Sequence, residues 1–135
     1  MNPGLKSALA VIAGAVVGGV INGALISISP SVIPPPEGVN LTTEEGLKAG
    51  MALMEPKHFL MPWLAHALGT FAGAILALLI SKKAISAWIV AGIFFIGGAM
   101  MVRMVPSPLW FTLCDLVLAY FPMSWLAIRL VHKNK

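Results

Sequence analysis

Apolar positions gather into four runs, approximately Ser7–Ser29, His58–Ile80, Ala84–Val105 and Leu109–Val131. Each is close to or beyond the roughly 20 apolar residues that a bilayer-spanning helix needs. The pattern predicts an all-α integral membrane four-helix bundle forming a single transmembrane domain over residues 1–135. The first run exceeds the roughly 7–15-residue apolar core of a signal peptide and lacks an A-x-A cleavage pattern, so a retained helix is expected. Between the first two runs lies Pro30–Lys57, the only large polar segment. It opens with Pro34-Pro35-Pro36, a stiff extended stretch. Thr42…Glu45 has the capping-box spacing. A helix over about Thr43–Met54 would put Leu47, Met51 and Met54 on one face, to lie on the membrane surface or lid the bundle. Glu55-Pro56 would end that helix and start the second span. The links Ser81-Lys82-Lys83 and Pro106-Ser107-Pro108 are tight, which makes successive helices antiparallel neighbours. No internal repeat or low-complexity tract is visible.

Composition agrees: 59% of the 135 residues are hydrophobic and 10% charged, against about 25% charged in soluble domains. Mean hydropathy is +0.91. The formal net charge is +4, but the basic residues are scattered beside apolar runs. That distribution fits topology determinants, not a phosphate-binding face, and excludes nucleic acid as a partner. An N-terminus inside places Lys6, Lys82, Lys83, Arg129, Lys133 and Lys135 on the cytoplasmic side, and leaves Lys48, Lys57 and Arg103 outside. The expectation is therefore a multi-pass inner-membrane protein with both termini cytoplasmic. Glu37, Glu44, Glu45 and Glu55 all fall in the outer loop. Cys114 is the only cysteine. It excludes an intrachain disulfide and any Cys-based metal motif, and reads as a small buried apolar residue. Asn40-Leu41-Thr42 fits a glycosylation sequon, a pattern common by chance.

Five polar side chains interrupt or flank the runs: Asn22, His58, His66, Arg103 and Asp115. Lipid penalises such groups, so each marks an interhelical tie or a functional path. Small residues share their faces. Gly14…Gly18 and Gly19…Gly23 in the first run and Gly69…Gly73 in the second are GxxxG pairs, and Gly92, Gly97, Gly98 and Ala99 follow in the third. Such faces pack helices within one chain or between copies, so a homo-oligomer or a membrane-protein partner is in view alongside the surrounding lipid. At about 100° per residue, His66 lies near Gly69 and Gly73, Asn22 near Ala15, Gly18 and Gly19, and Asp115 near Thr112, Ala119 and Pro122. Leu113, Leu116 and Tyr120 are expected to point elsewhere. Counting inward from Pro30, His58 and Pro108 at 1.5 Å per residue puts Asn22, His66 and Asp115 each about 10–12 Å deep. Arg103 starts nearer the surface and either reaches Asp115 or snorkels to the headgroups.

An aspartate at this depth needs a partner or neutralisation. His66 is the sharpest partner, and histidine is the side chain best suited to relaying protons near neutral pH; the alternative is a buried tie between helices. Glu55…His58 has the E-x-x-H spacing of di-iron bundles. One copy falls short of that ligand set, and His58 and His66 are about 12 Å apart along a helix. No metal is expected there, with Glu55 capping the second helix and His58 at the interface. No nucleophile elbow, Walker loop or G-x-G-x-x-G is present, so no cofactor is expected. Trp63, Trp88, Trp110 and Trp125 read as interface anchors. Pro62 and Pro122 inside spans are tolerated kinks or hinges.

Glu55-Pro56-Lys57-His58-Phe59, then Ala65-His66-Ala67-Leu68-Gly69-Thr70, with Pro106-Ser107-Pro108, Trp110-Phe111 and Asp115, resemble small uncharacterised bacterial inner-membrane proteins of about this length. The resemblance spans the whole chain and implies topology alone. Three roles follow, in this order. The first is a transport or channel component with Asn22, His66 and Asp115 lining an outward-facing site for protons or a small cation, tuned by Arg103. The second is a structural or assembly subunit of a larger membrane complex. The third is a membrane enzyme acting on a lipid or quinone, with His66 as general base and Asp115 orienting it.

Overall fold

The computed structural model describes residues 1–134, and Lys135, counted above among the basic residues, lies outside them. Helix α1 spans Pro3–Val32 and α2 spans Glu44–Gly50. Helices α3, Leu60–Ser81, and α4, Ala84–Met104, follow. The last apolar run is two helices, α5 at Leu109–Leu118 and α6 at Phe121–Lys133. Four segments, Pro3–Val32, Pro56–Ser81, Ala84–Met104 and Leu109–Lys133, are long and apolar enough to cross a membrane. The chain is thus all-helical among the described residues, with four candidate spans.

The boundaries have local causes. Asn2 caps α1 by accepting the Gly4 N–H at 2.7 Å. Pro30 is tolerated in the last turn of α1, which continues to Val32. Pro56 opens a 3-10 turn over Pro56–Phe59, and α3 starts at Leu60. Pro62 therefore sits in a first helical turn, where a missing N–H costs no helix bond, and no kink is needed. Between α3 and α4 the chain reverses at Lys82, whose φ of 62° is left-handed. Its N–H closes the helix on the Leu78 carbonyl at 2.9 Å.

Pro122 does more than kink the fourth span. A proline ring collides with the carbonyl four residues earlier, here Leu118, where α5 stops. The chain turns at Ala119-Tyr120, with Tyr120 at φ −117° and ψ −81°, before α6 begins.

Helix α3 is central, packing on α1, α4 and α6. It runs antiparallel to α1 through paired glycines. A Cβ on Gly14 would lie 2.5 Å from the Gly73 carbonyl oxygen, and one on Gly18 would lie 2.5 Å from that of Gly69. The backbones touch only because these side chains are absent. Gly19, Gly23, Gly92 and Gly97 meet nothing within 4 Å. Toward the Lys82-Lys83 turn (the lysine end), Ala74, Leu78, Ala87 and Ala127 form a close core. Ser124 Oγ donates to the Ala87 carbonyl at 2.9 Å, tying α6 to α4. The opposite end carries the 33–59 segment and the 105–108 link, and is the loop end below. There α5 stands further from the other helices, and the packing opens.

Candidate functional site

The opening is a cavity of about 610 Å³. Asn22 and Ile26 from α1, Pro62 and His66 from α3, Met101 from α4, and Asp115 from α5 are among its walls. The 33–59 segment roofs it. Thr43 caps α2 by accepting the Gly46 N–H at 3.0 Å. The cap is Thr43 and not Thr42, whose hydroxyl donates to Asn40 Oδ1 at 2.6 Å instead. A seven-residue α2 and a 3-10 turn over Met51–Leu53 then present Leu47, Met51 and Met54 to the cavity.

At the floor, Asp115 is 3% exposed. Leu113, Val117 and Leu118 hold the outward side of α5, which turns Asp115 toward α3. Its Oδ1 lies 2.6 Å from His66 Nδ1. Its Oδ2 accepts the Tyr120 O–H at 2.9 Å. Each carboxyl oxygen therefore has one hydrogen-bond partner, and neither partner is a lysine or an arginine. The shared bond at Nδ1 also fixes the His66 ring, as a carboxylate does for a catalytic or metal-binding histidine. No hydrogen bond among the described residues engages His66 Nε2, and the side chain lines the cavity at 22% exposure. Tyr120 stacks on the imidazole with centroids 5.9 Å apart, and Phe95 meets Tyr120 edge-on at 6.0 Å. Thr70 Oγ1 donates to the His66 carbonyl at 2.8 Å, so the neighbouring turn of α3 is occupied as well. Asn22 completes the floor, and its Oδ1 is buried without a hydrogen-bond partner.

Asn22, His66 and Asp115 thus border one cavity. Arg103 does not join them. It is exposed, beside Phe95, Ile96 and Met100 on the outside of α4, and forms none of the ion pairs among the described residues. Depth alone cannot separate residues at one level on opposite helix faces. His58 lines the cavity nearer its rim, and its Nδ1 accepts the Glu55 N–H at 2.8 Å. Glu55 pairs with Lys57 at 3.4 Å on the exposed side. The E-x-x-H pair is therefore a helix-start cap. Among the described residues no three His, Cys, Asp or Glu side chains are grouped to hold a metal. Cys114 is exposed instead of buried, since it lies about 100° around α5 from the inward Asp115.

Tyr120 is the residue that helical periodicity sends the wrong way. Five residues on from Asp115, an unbroken helix would place it about 140° around the axis. The break ahead of Pro122 swings it back, 1% exposed, onto the carboxylate. Gly98 makes room for it, because a Cβ there would overlap the Tyr120 hydroxyl. The available signal was Pro122 itself, taken as a helix end at Leu118. No protein-family model, curated protein or solved structure matches the chain.

Proposed function

We propose that the protein is a small transport component of the cell inner membrane, with both termini cytoplasmic and the roofed cavity facing outward. One observation carries the reading: a one-sided cavity ends on an ordered His66–Asp115–Tyr120 set at a broken helix. Secondary transporters bind cargo near the bilayer midplane at discontinuous helices, with access to one side at a time. Every cavity residue comes from the loop end, and the lysine end is packed. The excess of lysine and arginine at the lysine end supports the orientation. His66 would take and return a proton, or face a cation, while Asp115 and Tyr120 hold its ring.

The test is ion and proton flux in liposomes reconstituted with the purified chain. Asp115→Asn and His66→Ala should each lower flux by about a hundredfold or more, the lower end of what a positioned acid–base group contributes. Unaltered flux in both variants would remove the proposal. A second reading rests on the imidazole: a histidine oriented by a carboxylate, with Nε2 toward a cavity, is also the arrangement of a general base. A membrane enzyme acting on a lipid or quinone would release a changed lipid or quinone, detectable by mass spectrometry, that the His66→Ala variant does not make.

A further inference from the structure

The cavity's one carboxylate and its apolar walls together favour one kind of occupant. Among the described residues Asp115 is its only carboxylate, and neither lysine nor arginine lines it. The two nearby lysines are held on the exposed side, Lys48 by Glu44 at 2.8 Å and Lys57 by Glu55 at 3.4 Å. An anion would find no lysine or arginine among these walls. His58 leaves a donor at the cavity wall, because its Nδ1 accepts, while two other polar atoms can face a cation as acceptors. Asn22 Oδ1 is buried and unpartnered, and His66 Nε2 accepts when Nδ1–H is given to Asp115. Beside the hydroxyls of Ser27, Ser29, Thr42 and Ser107, most of the remaining wall is apolar, and part of it is polarisable: Met51, Met54 and Met101, with the rings of Phe59 and Phe111 4.7 Å apart. Aromatic faces and thioethers attract cations in dry surroundings and also accept apolar bodies. A volume of about 610 Å³ is far beyond a metal ion and within the roughly 300–1,000 Å³ range of sites for organic ligands.

We infer that the cavity binds an organic cation, a charged amine or onium group carried on an apolar body, with the charge toward Asp115 and Asn22 and the body against Met51, Met54, Phe59 and Phe111. This rests on the outward cavity being the cargo site, and names the cargo class. The small inorganic cation expected from sequence would leave most of the apolar wall unused.

The experiment uses two ions of nearly equal shape and opposite charge, tetraphenylphosphonium and tetraphenylborate. Their binding to the purified full chain is measured by equilibrium dialysis in a neutral detergent, with empty micelles subtracted. The expected result is saturable phosphonium binding at least about tenfold tighter than borate binding, since a like charge at a buried site is strongly disfavoured. Asp115→Asn should erase the preference. Because that variant can also lose its fold, Met51→Lys is made on the roof, outside the spans; it should weaken phosphonium about tenfold and favour borate. Equal or reversed preference in the native chain, no saturable binding, or phosphonium affinity unchanged by Met51→Lys would overturn the inference. Selective phosphonium binding without any Asp115-dependent flux would instead remove the transport reading and leave the cation site standing. Asp115-dependent proton flux without phosphonium binding would overturn the cation site alone.

Discussion

The same two helices, α1 and α3, meet in opposite ways at their two ends. Toward the lysine end Gly14 and Gly18 lie on the carbonyls of Gly73 and Gly69 with no side chain between. One turn further along α1, Asn22 passes Gly69, and beyond it Ile26 and Pro30 already border the cavity. Closure comes from glycine, which lets backbones touch where lipid gives no hydrophobic drive to associate. Opening comes from larger and polar side chains on the continuation of the same faces. The contrast shows a chain divided along its length: one end fastens, the other holds a space.

The largest expected effect is at the fastened end. Gly14→Val puts carbon where the Gly73 carbonyl stands, and neither backbone can yield without parting the helices. A loss of about 3 kcal/mol or more is expected, read as loss of folded, monodisperse protein on heating in detergent. Gly19→Val, on the same helix but with nothing within 4 Å, should stay within about 0.5 kcal/mol of the native chain. Equal damage from both would mean that the open face of α1 is covered in solution, and the contrast between closed and open faces would fail.

Next in size is the floor of the cavity. Tyr120→Phe removes one of two donors to a carboxylate that is almost fully buried. The expected cost is about 1.5–3 kcal/mol, typical of a hydrogen bond to a charged group. Gly98→Ala should injure the same bond from the other side by displacing the hydroxyl. The double variant should therefore lose less than the sum of the singles, with a coupling of about 0.5 kcal/mol or more, measured as a double-mutant cycle in thermal unfolding. Strict additivity would show that Gly98 and Tyr120 act separately.

How much of this was visible in the residues follows the same division. Long apolar runs give four candidate spans, because their length and lack of charge suit a helix that crosses lipid. Depth counting brings Asn22, His66 and Asp115 to one level, and the helical period puts Leu47 and Met51 on one face of the roof. Both methods work on an unbroken helix. Tyr120 escaped them because its position depends on a break, and the break depends on a clash between the Pro122 ring and the Leu118 carbonyl that no periodic pattern contains. Arg103 stays undecided in the sequence for a related reason: depth fixes a level, while only packing fixes which side of α4 faces the cavity. The cap of α2 moved by one residue because Thr42 and Thr43 are equally able to cap, and Asn40 engages the first.

The smallest effect separates the roof from the rest. Helix α2 has seven residues, below the roughly 12–15 at which isolated helices hold in water. Its order therefore depends on the Thr43 cap, on Glu44 and Glu45 in its first turn, and on Leu47 and Met51 resting over the cavity. The exposed Glu44–Lys48 pair adds only a few tenths of a kcal/mol. Thr43→Ala removes the cap and should cost α2 about 1 kcal/mol. That is a large share of a short element's local stability and a small share of the whole. Hydrogen exchange over residues 44–53 should quicken about fivefold, the factor that 1 kcal/mol represents, while the melting temperature stays where it was. Such a result is local opening in the sense of a separable unit, and would make the roof the mobile part of the loop end. A fall in melting temperature as large as that from Tyr120→Phe would instead bind the roof to the core, and the cavity would be a fixed interior space with no moving cover.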